Sequence, residues 1–318
     1  MSRISERFHS VDRLLGRRPF MLLDGALATE LERLGCDLND ALWSARMLRD
    51  APEKIHRVHR SYFEAGADCT ITASYQATRQ GFMRLGLSAE RADELIRRSV
   101  QLACEARDAF VAEHGCEIAP LVAASVGPYG AFLADGSEYR GDYDIGRAAL
   151  ADFHRPRLRL LLEAEPDLLA VETLPSLEEA LAIAGLLEEM PAASAWITFS
   201  ARDAHCISDG TPIAECAAAL EGRPGIAAIG INCTAPEYVE GLVTTLRAHT
   251  DLPIVAYPNA GGHYDAASRS WCCDMAGPQA FVADAERWLA AGASVIGGCC
   301  RTGPEHVRAL AELRRRAG

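Results

Sequence analysis

The sequence predicts an α/β protein, a (β/α)8 TIM barrel folded as a single domain over residues 1–318, with its core at about 20–310. Three observations lead there. Eight short, almost uninterrupted apolar runs alternate with longer helical patterns, as in a parallel sheet buried on both faces. No composition break divides the 318 residues, and a barrel typically needs ~250 before insertions. YFEAGAD (62–68) and WLAAGAS (288–294) repeat one unit, with Gly where a helix hands over to a strand. A doubly wound sheet is the competing architecture, but no GxGxxG or GxxxxGK[ST] follows the first strand to signal a nucleotide site.

In chain order the predicted strands are FMLLDGA (20–26), CTITASY (69–75), PLVAASVGP (120–128) and DLLAVETL (167–174), then AWITFSA (195–201), IAAIGINC (226–233), PIVAYPNA (253–260) and SVIGGCC (294–300). Helical spacing fills the gaps at PEKIHRVHRSYFEAG, ADELIRRSVQLACEARDAFVAEH, SLEEALAIAGLLEEM, PEYVEGLVTTLRAHT and GPQAFVADAERWLAAG. Two stretches, 27–50 and 129–156, read as excursions beyond the first and third strands. Both leave from strand C-termini, the face where barrel enzymes build their sites.

Composition narrows the chemistry. The formal charge is −12 and the basic residues are scattered, which argues against nucleic acid or an anionic membrane as partner and favours small molecules. The first twenty residues lack an apolar h-region, and no segment approaches the ~18 apolar residues of a membrane helix, so a cytoplasmic location is expected. Eleven cysteines is an odd number in a long chain without an export signal, which disfavours a disulfide framework. Lys54 is the lone lysine and lies in a surface-helix pattern, so Schiff-base and pyridoxal-phosphate chemistry nearly drop out.

Polar and soft residues collect at the strand ends: Asp24, Tyr75, Ser125, Glu172, Ser200, Asn232 with Cys233, Asn259, and Cys299 with Cys300. Turn polarity alone is the plain alternative. Cys233, Cys299 and Cys300 would meet at one mouth, and three thiolates with a fourth position open suit catalytic Zn2+. Adjacent side chains on a strand diverge, so Cys299 and Cys300 share an ion only where the backbone turns. Gly297 and Gly298 permit close approach or unusual dihedrals there. By itself a Cys-Cys pair is more commonly buried filler. Cys272 and Cys273 sit in a polar loop pattern without a strand and read as exposed or loosely packed thiols. His56 and His59, at i and i+3 of one helix, read as a solvated pair. Asp24 and Glu172 suit an ammonium group, with helix capping as the alternative and Ser176 the better cap for its helix. Gly25 and Ala26 offer backbone N–H groups to a carboxylate. Trp43, Tyr75 and Tyr129 offer aromatic faces to a cation, with core or lid packing as the alternative.

Taken together, DGALATELERLGCDLNDALWSA, ITASYQAT, SVGPYGAFLADGSEYRGDY, ETLPSLEEA, SDGTP, GINCTAPE, YPNAGGHYD and GGCCRTGPEH resemble the homocysteine S-methyltransferase family, especially its bacterial members that use S-methylmethionine. The resemblance runs over residues 20–310. It implies a zinc-dependent barrel that methylates homocysteine to methionine. Its zinc ligands fall on Cys233, Cys299 and Cys300; Asp24 and Glu172 match positions that hold the homocysteine ammonium, and Trp43 and Tyr75 match positions near the donor. Gly25, Ala26 and Asn259 complete the expected substrate site. Two rivals stay open: the same barrel with S-adenosylmethionine, betaine or a folate as donor, and a thiol-rich zinc-binding or redox-sensing protein without turnover.

Overall fold

The computed structural model describes residues 10–38, 43–261, 263–265, 270–272 and 275–318. Eight parallel strands alternate with helices: β1 Met21–Leu22, β2 Cys69–Ile71, β3 Leu121–Val126, β4 Leu168–Leu174, β5 Ala195–Phe199, β6 Ile226–Asn232, β7 Ile254–Tyr257 and β8 Val295–Ile296. Every apolar run read as a strand carries one. The order β1-β8-β7-β6-β5-β4-β3-β2 is closed by a parallel bridge from Leu23 to Cys69, which makes a (β/α)8 barrel. Closure leaves no sheet edge open for pairing.

Alternation along the strands separates two apolar layers. Leu121 and Ala123, Leu168 and Ala170, Trp196, Ala228, Val255 and Val295 fill the barrel interior. Val11 and Leu14, on the helix Ser10–Leu15, join that cluster and plug the bottom. The intervening residues, such as Val122, Leu169, Ile197, Ile229 and Ile254, face the helices. The two repeat glycines do what their motif predicts: Gly66 and Gly292 end their helices at φ 107° and 117°, where a side chain would be strained.

Three expectations change, and one open alternative closes. The helix Arg147–Glu163 occupies the end of the excursion read at 129–156, with Pro156 inside it, so the excursion proper is shorter. Cys272 belongs to a strand: Ser270–Cys272 pairs antiparallel with His263–Asp265 in a small hairpin. Cys273, and the exposure expected for both thiols, lie outside the described residues. His59 is fully buried rather than solvated, and burial pushes its imidazole down to about 3, so it is neutral at pH 7. Finally, neither mouth carboxylate caps a helix. Asp24 accepts from a neighbouring strand, while Ser176 accepts from Glu179 N–H at the N-cap after β4.

Candidate active site and metal centre

Inward-pointing side chains turn polar at the C-terminal ends of the strands, and they bond to one another. Ser125 Oγ donates to Glu172 Oε1, and Tyr257 Oη donates to Glu172 Oε2 at 3.0 Å. Thr198 Oγ1 lies 2.9 Å from Tyr257 Oη and 2.8 Å from Asn232 Oδ1. Asn232 Nδ2 donates to Thr173 Oγ1 at 2.7 Å, and Trp196 Nε1 donates to Tyr257 Oη at 3.3 Å. Each of these groups is buried, so the network fixes rotamers that would otherwise leave polar atoms unpaired. It forms a rigid polar floor above the apolar interior.

A pocket of about 740 Å3, open mouth included, stands on that floor, lined by Asp24, Gly25, Ala26, Tyr75, Tyr139, Glu172, Tyr257 and the cysteines 233, 299 and 300. Among its described lining residues there is no Lys, Arg or His. Asp24 Oδ2 accepts from Ile71 N–H at 2.8 Å; burial, with Glu172 adding repulsion, raises its carboxyl well above the ordinary range. Burial likewise raises Glu172 to about 7, against the hydrogen bonds from Ser125 and Tyr257. Two buried carboxyl groups without a basic partner leave the pocket in need of a cation.

The cysteines arrive from two strands. β6 ends at Asn232, and Cys233 then adopts φ 49°, which turns its side chain off the strand direction. β8 ends at Ile296, and four backbone bonds hold the turn beyond it: Gly298 N–H to Asp24 O, Cys299 N–H to Pro258 O, Ala260 N–H to Cys300 O, and Ala26 N–H to Thr302 O. The glycines act here by close approach rather than unusual dihedrals. A Cβ on Gly297 would lie 2.5 Å from Leu23 Cβ, and one on Gly298 would lie 2.6 Å from Thr302 Cβ. The left-handed residue of this turn is Arg301, at φ 69°.

Cys233, Cys299 and Cys300 bring their sulfurs within 4.8 Å of one another, the group of potential metal ligands found among the described residues. Cys233 Sγ and Cys300 Sγ are in hydrogen-bond contact at 3.7 Å and form no disulfide. Two sulfurs held about 2.3 Å from a tetrahedral Zn2+ would be about 3.8 Å apart, so the spacing suits that ion. Hydrogen bonds from Cys299 and Cys300 hold Cys233 well below the usual thiol range, and their bonds to Cys233, with burial and its charge adding, push Cys299 and Cys300 up.

Most sequence-expected residues converge, with three exceptions. Ala26 lines the pocket but its N–H is spent on Thr302, which leaves Gly25, also on the lining, as the expected loop amide. Asn259 stands beside Cys233, where its amide stabilises the thiolate, rather than on the pocket wall. Tyr129 packs edge-on against Tyr143 and Phe153, away from the lining. Trp43 begins a 3-10 turn, Trp43–Arg46, but its side chain lies outside the described residues. Sequence reasoning missed Tyr139, whose Oη is 3.4 Å from Cys233 Sγ, and Tyr257, the keystone of the floor. Tyr139 had a signal in the polar excursion that carries it, whereas Tyr257 sits inside an apolar strand pattern that hides its hydroxyl.

Comparison with known proteins agrees with this geometry. The sequence profile of the family "Homocysteine S-methyltransferase" matches residues 21–314. Homocysteine S-methyltransferase YbgG of Bacillus subtilis is 50% identical over 308 residues, covering 96% of this chain and 98% of its own. Homocysteine S-methyltransferase of Escherichia coli is 50% identical over 305 residues, covering 93% and 96%. The crystal structure of the metallated form of the homocysteine methyltransferase MmuM from Escherichia coli superposes with a TM-score of 0.86 at 48% identity, over 95% of this chain and 99% of that one. The chain belongs to the homocysteine S-methyltransferase family.

Proposed function

We propose that this enzyme uses Zn2+ to transfer a methyl group from S-methylmethionine to L-homocysteine, giving two molecules of methionine, in the reducing cytoplasm where its thiols stay free. The observation that carries the reading is the juxtaposition of three convergent sulfurs with two buried carboxyl groups in a pocket whose described lining has no basic residue. Cys233, Cys299 and Cys300 would hold the metal. When bound there, Zn2+ supplies a Lewis acid that keeps the homocysteine sulfur deprotonated at neutral pH, while a thiolate-rich ligand set preserves its nucleophilicity.

The chain's own residues do the rest. Asp24 and Glu172 receive the homocysteine ammonium, which relieves the burial penalty on both carboxylates. Gly25 N–H and the small residues after it offer a place for the homocysteine carboxylate. Ser125 and Tyr257 aim Glu172 so that the amino acid enters with its sulfur towards the cysteines. The donor occupies the outer half, where Tyr75 and Tyr139 present aromatic faces to its sulfonium. The thiolate attacks the sulfonium methyl in line: a new S–CH3 bond forms, the old one breaks, and its electron pair returns to the donor sulfur. An anion and a cation become two neutral thioethers. Charge is therefore dispersed in the transition state, and a dry, aligned pocket speeds the step.

Competing S-methylmethionine, S-adenosylmethionine and betaine against labelled homocysteine tests the reading. Methionine formation fastest with S-methylmethionine supports it, and no turnover with any sulfonium overturns it.

A further inference from the structure

Outside the pocket, the mechanism leaves a line of buried charges unused. Glu179, His154 and Arg157 are 0%, 0% and 3% exposed, and they bond in a line. Arg157 donates to His154 Nδ1 at 2.8 Å, and His154 Nε2 lies 2.7 Å from Glu179 Oε1. Arginine can only donate, so Nδ1 is the acceptor and the ring proton sits on Nε2, facing the carboxylate. The imidazole is thus neutral and passes a hydrogen bond between a guanidinium and a carboxylate.

Both ends of the line leave their helices for the same strand end. Arg157 also donates to Gly127 O, and Glu179 Oε1 accepts from Tyr129 N–H at 2.6 Å. Glu179 follows Ser176 by three residues, the spacing of a capping box, in which its carboxylate would turn back to its own helix. Here it is diverted across to the chain leaving β3. Gly127, clamped in this way, lies against a pocket residue: its N–H donates to Tyr75 O at 3.2 Å, and a Cβ on it would be 2.7 Å from the Tyr75 ring. The same segment runs on to Tyr139 beside Cys233.

We propose that Arg157, His154 and Glu179 form a buried positioning relay that fixes the donor half of the pocket, by locking Gly127 and Tyr129 and through them Tyr75. The inference rests on the donor reading above. It assigns these three residues to donor affinity; homocysteine is held by Asp24 and Glu172, which none of the three touches.

The test is steady-state kinetics on the zinc-loaded enzyme, with bound metal measured in each variant. Glu179→Ala removes the acceptor of Tyr129 N–H and should raise KM for S-methylmethionine about tenfold or more, with homocysteine KM and zinc content unchanged. Glu179→Gln keeps an oxygen there and should recover most of the loss. A role in folding alone would lower the active fraction, and hence apparent kcat, without moving either KM. Gly127→Ala, which crowds the Tyr75 ring and carbonyl while keeping all three charged side chains, should give the same one-sided rise and stands in if Glu179→Ala does not fold. Equal shifts in both KM values, or none in either, overturn the relay. Absence of S-methylmethionine turnover by the wild type in the same assay instead overturns the donor reading.

Discussion

Cys299 and Glu172 carry opposite demands of the site, one soft and one charged, and each makes a separate prediction. Replacing Cys299 with Ala leaves two sulfurs, below the three or four protein ligands a zinc site uses. Bound metal and methyl transfer should be lost together, as read by metal analysis and turnover, and a variant that retains stoichiometric zinc would refute the ligand set. Glu172 titrates at about 7 because burial outweighs its two hydrogen bonds. Below that pH it is neutral and attracts the homocysteine ammonium less, so homocysteine KM should rise as pH falls through 7. Glu172→Gln should weaken homocysteine by roughly 2 kcal/mol, about 30-fold, and flatten that pH dependence. The cysteines and carboxylates were legible in the sequence because each stands at the end of an apolar run. Tyr139 and Tyr257 were not, since neither a strand tyrosine nor a loop tyrosine announces where its hydroxyl lands. His59 was misread because helix spacing alone does not say which face is covered.

At the scale of elements, all eight strands were legible because burial on both faces makes them continuous apolar runs. The helix Arg147–Glu163 was not, because Pro156 and a mixed polar pattern argue locally against a helix that packing nevertheless imposes. The hairpin ending at Cys272 escaped as well: two strands of three residues carry too little alternation to read. The turn after β8 makes a prediction of its own. Gly298 is pressed against Thr302, whose side chain and carbonyl bond Cys299 O and Ala26 N–H. Gly298→Ala should push Cys299 and Cys300 out of register with Cys233 and weaken zinc binding about tenfold or more in chelator competition. Far-UV circular dichroism should stay that of the parent, since Gly298 lies past Ile296, where β8 ends. Unchanged zinc affinity would show that the close approach is incidental.

For the whole molecule, chemistry and closure lie at opposite ends of the barrel. At the bottom, Asp68 accepts from Leu22 N–H at 2.9 Å and pairs with Arg314 of the last helix and with Arg18 before β1. One carboxylate thus ties the first strand, the second strand and the C-terminal helix. Asp68→Ala should cost about 3 kcal/mol in denaturant unfolding, because it strands a largely buried guanidinium and a strand amide. Both KM values of the folded fraction should stay the same, and a change in either would mean that the two faces are coupled. Among the described residues no helix is long and apolar enough to cross a membrane. The barrel as a whole was legible because the β/α alternation runs unbroken, whereas the linkage between distant side chains exists only once the ring is closed.

The proposed chemistry stands or falls on whether Cys233, Cys299 and Cys300 hold zinc with one position left for homocysteine sulfur, and X-ray absorption at the zinc edge reads that position. The wild-type protein should show a sulfur-dominated shell that gains one sulfur scatterer when homocysteine is added; a shell that homocysteine leaves unchanged would refute the metal-bound thiolate.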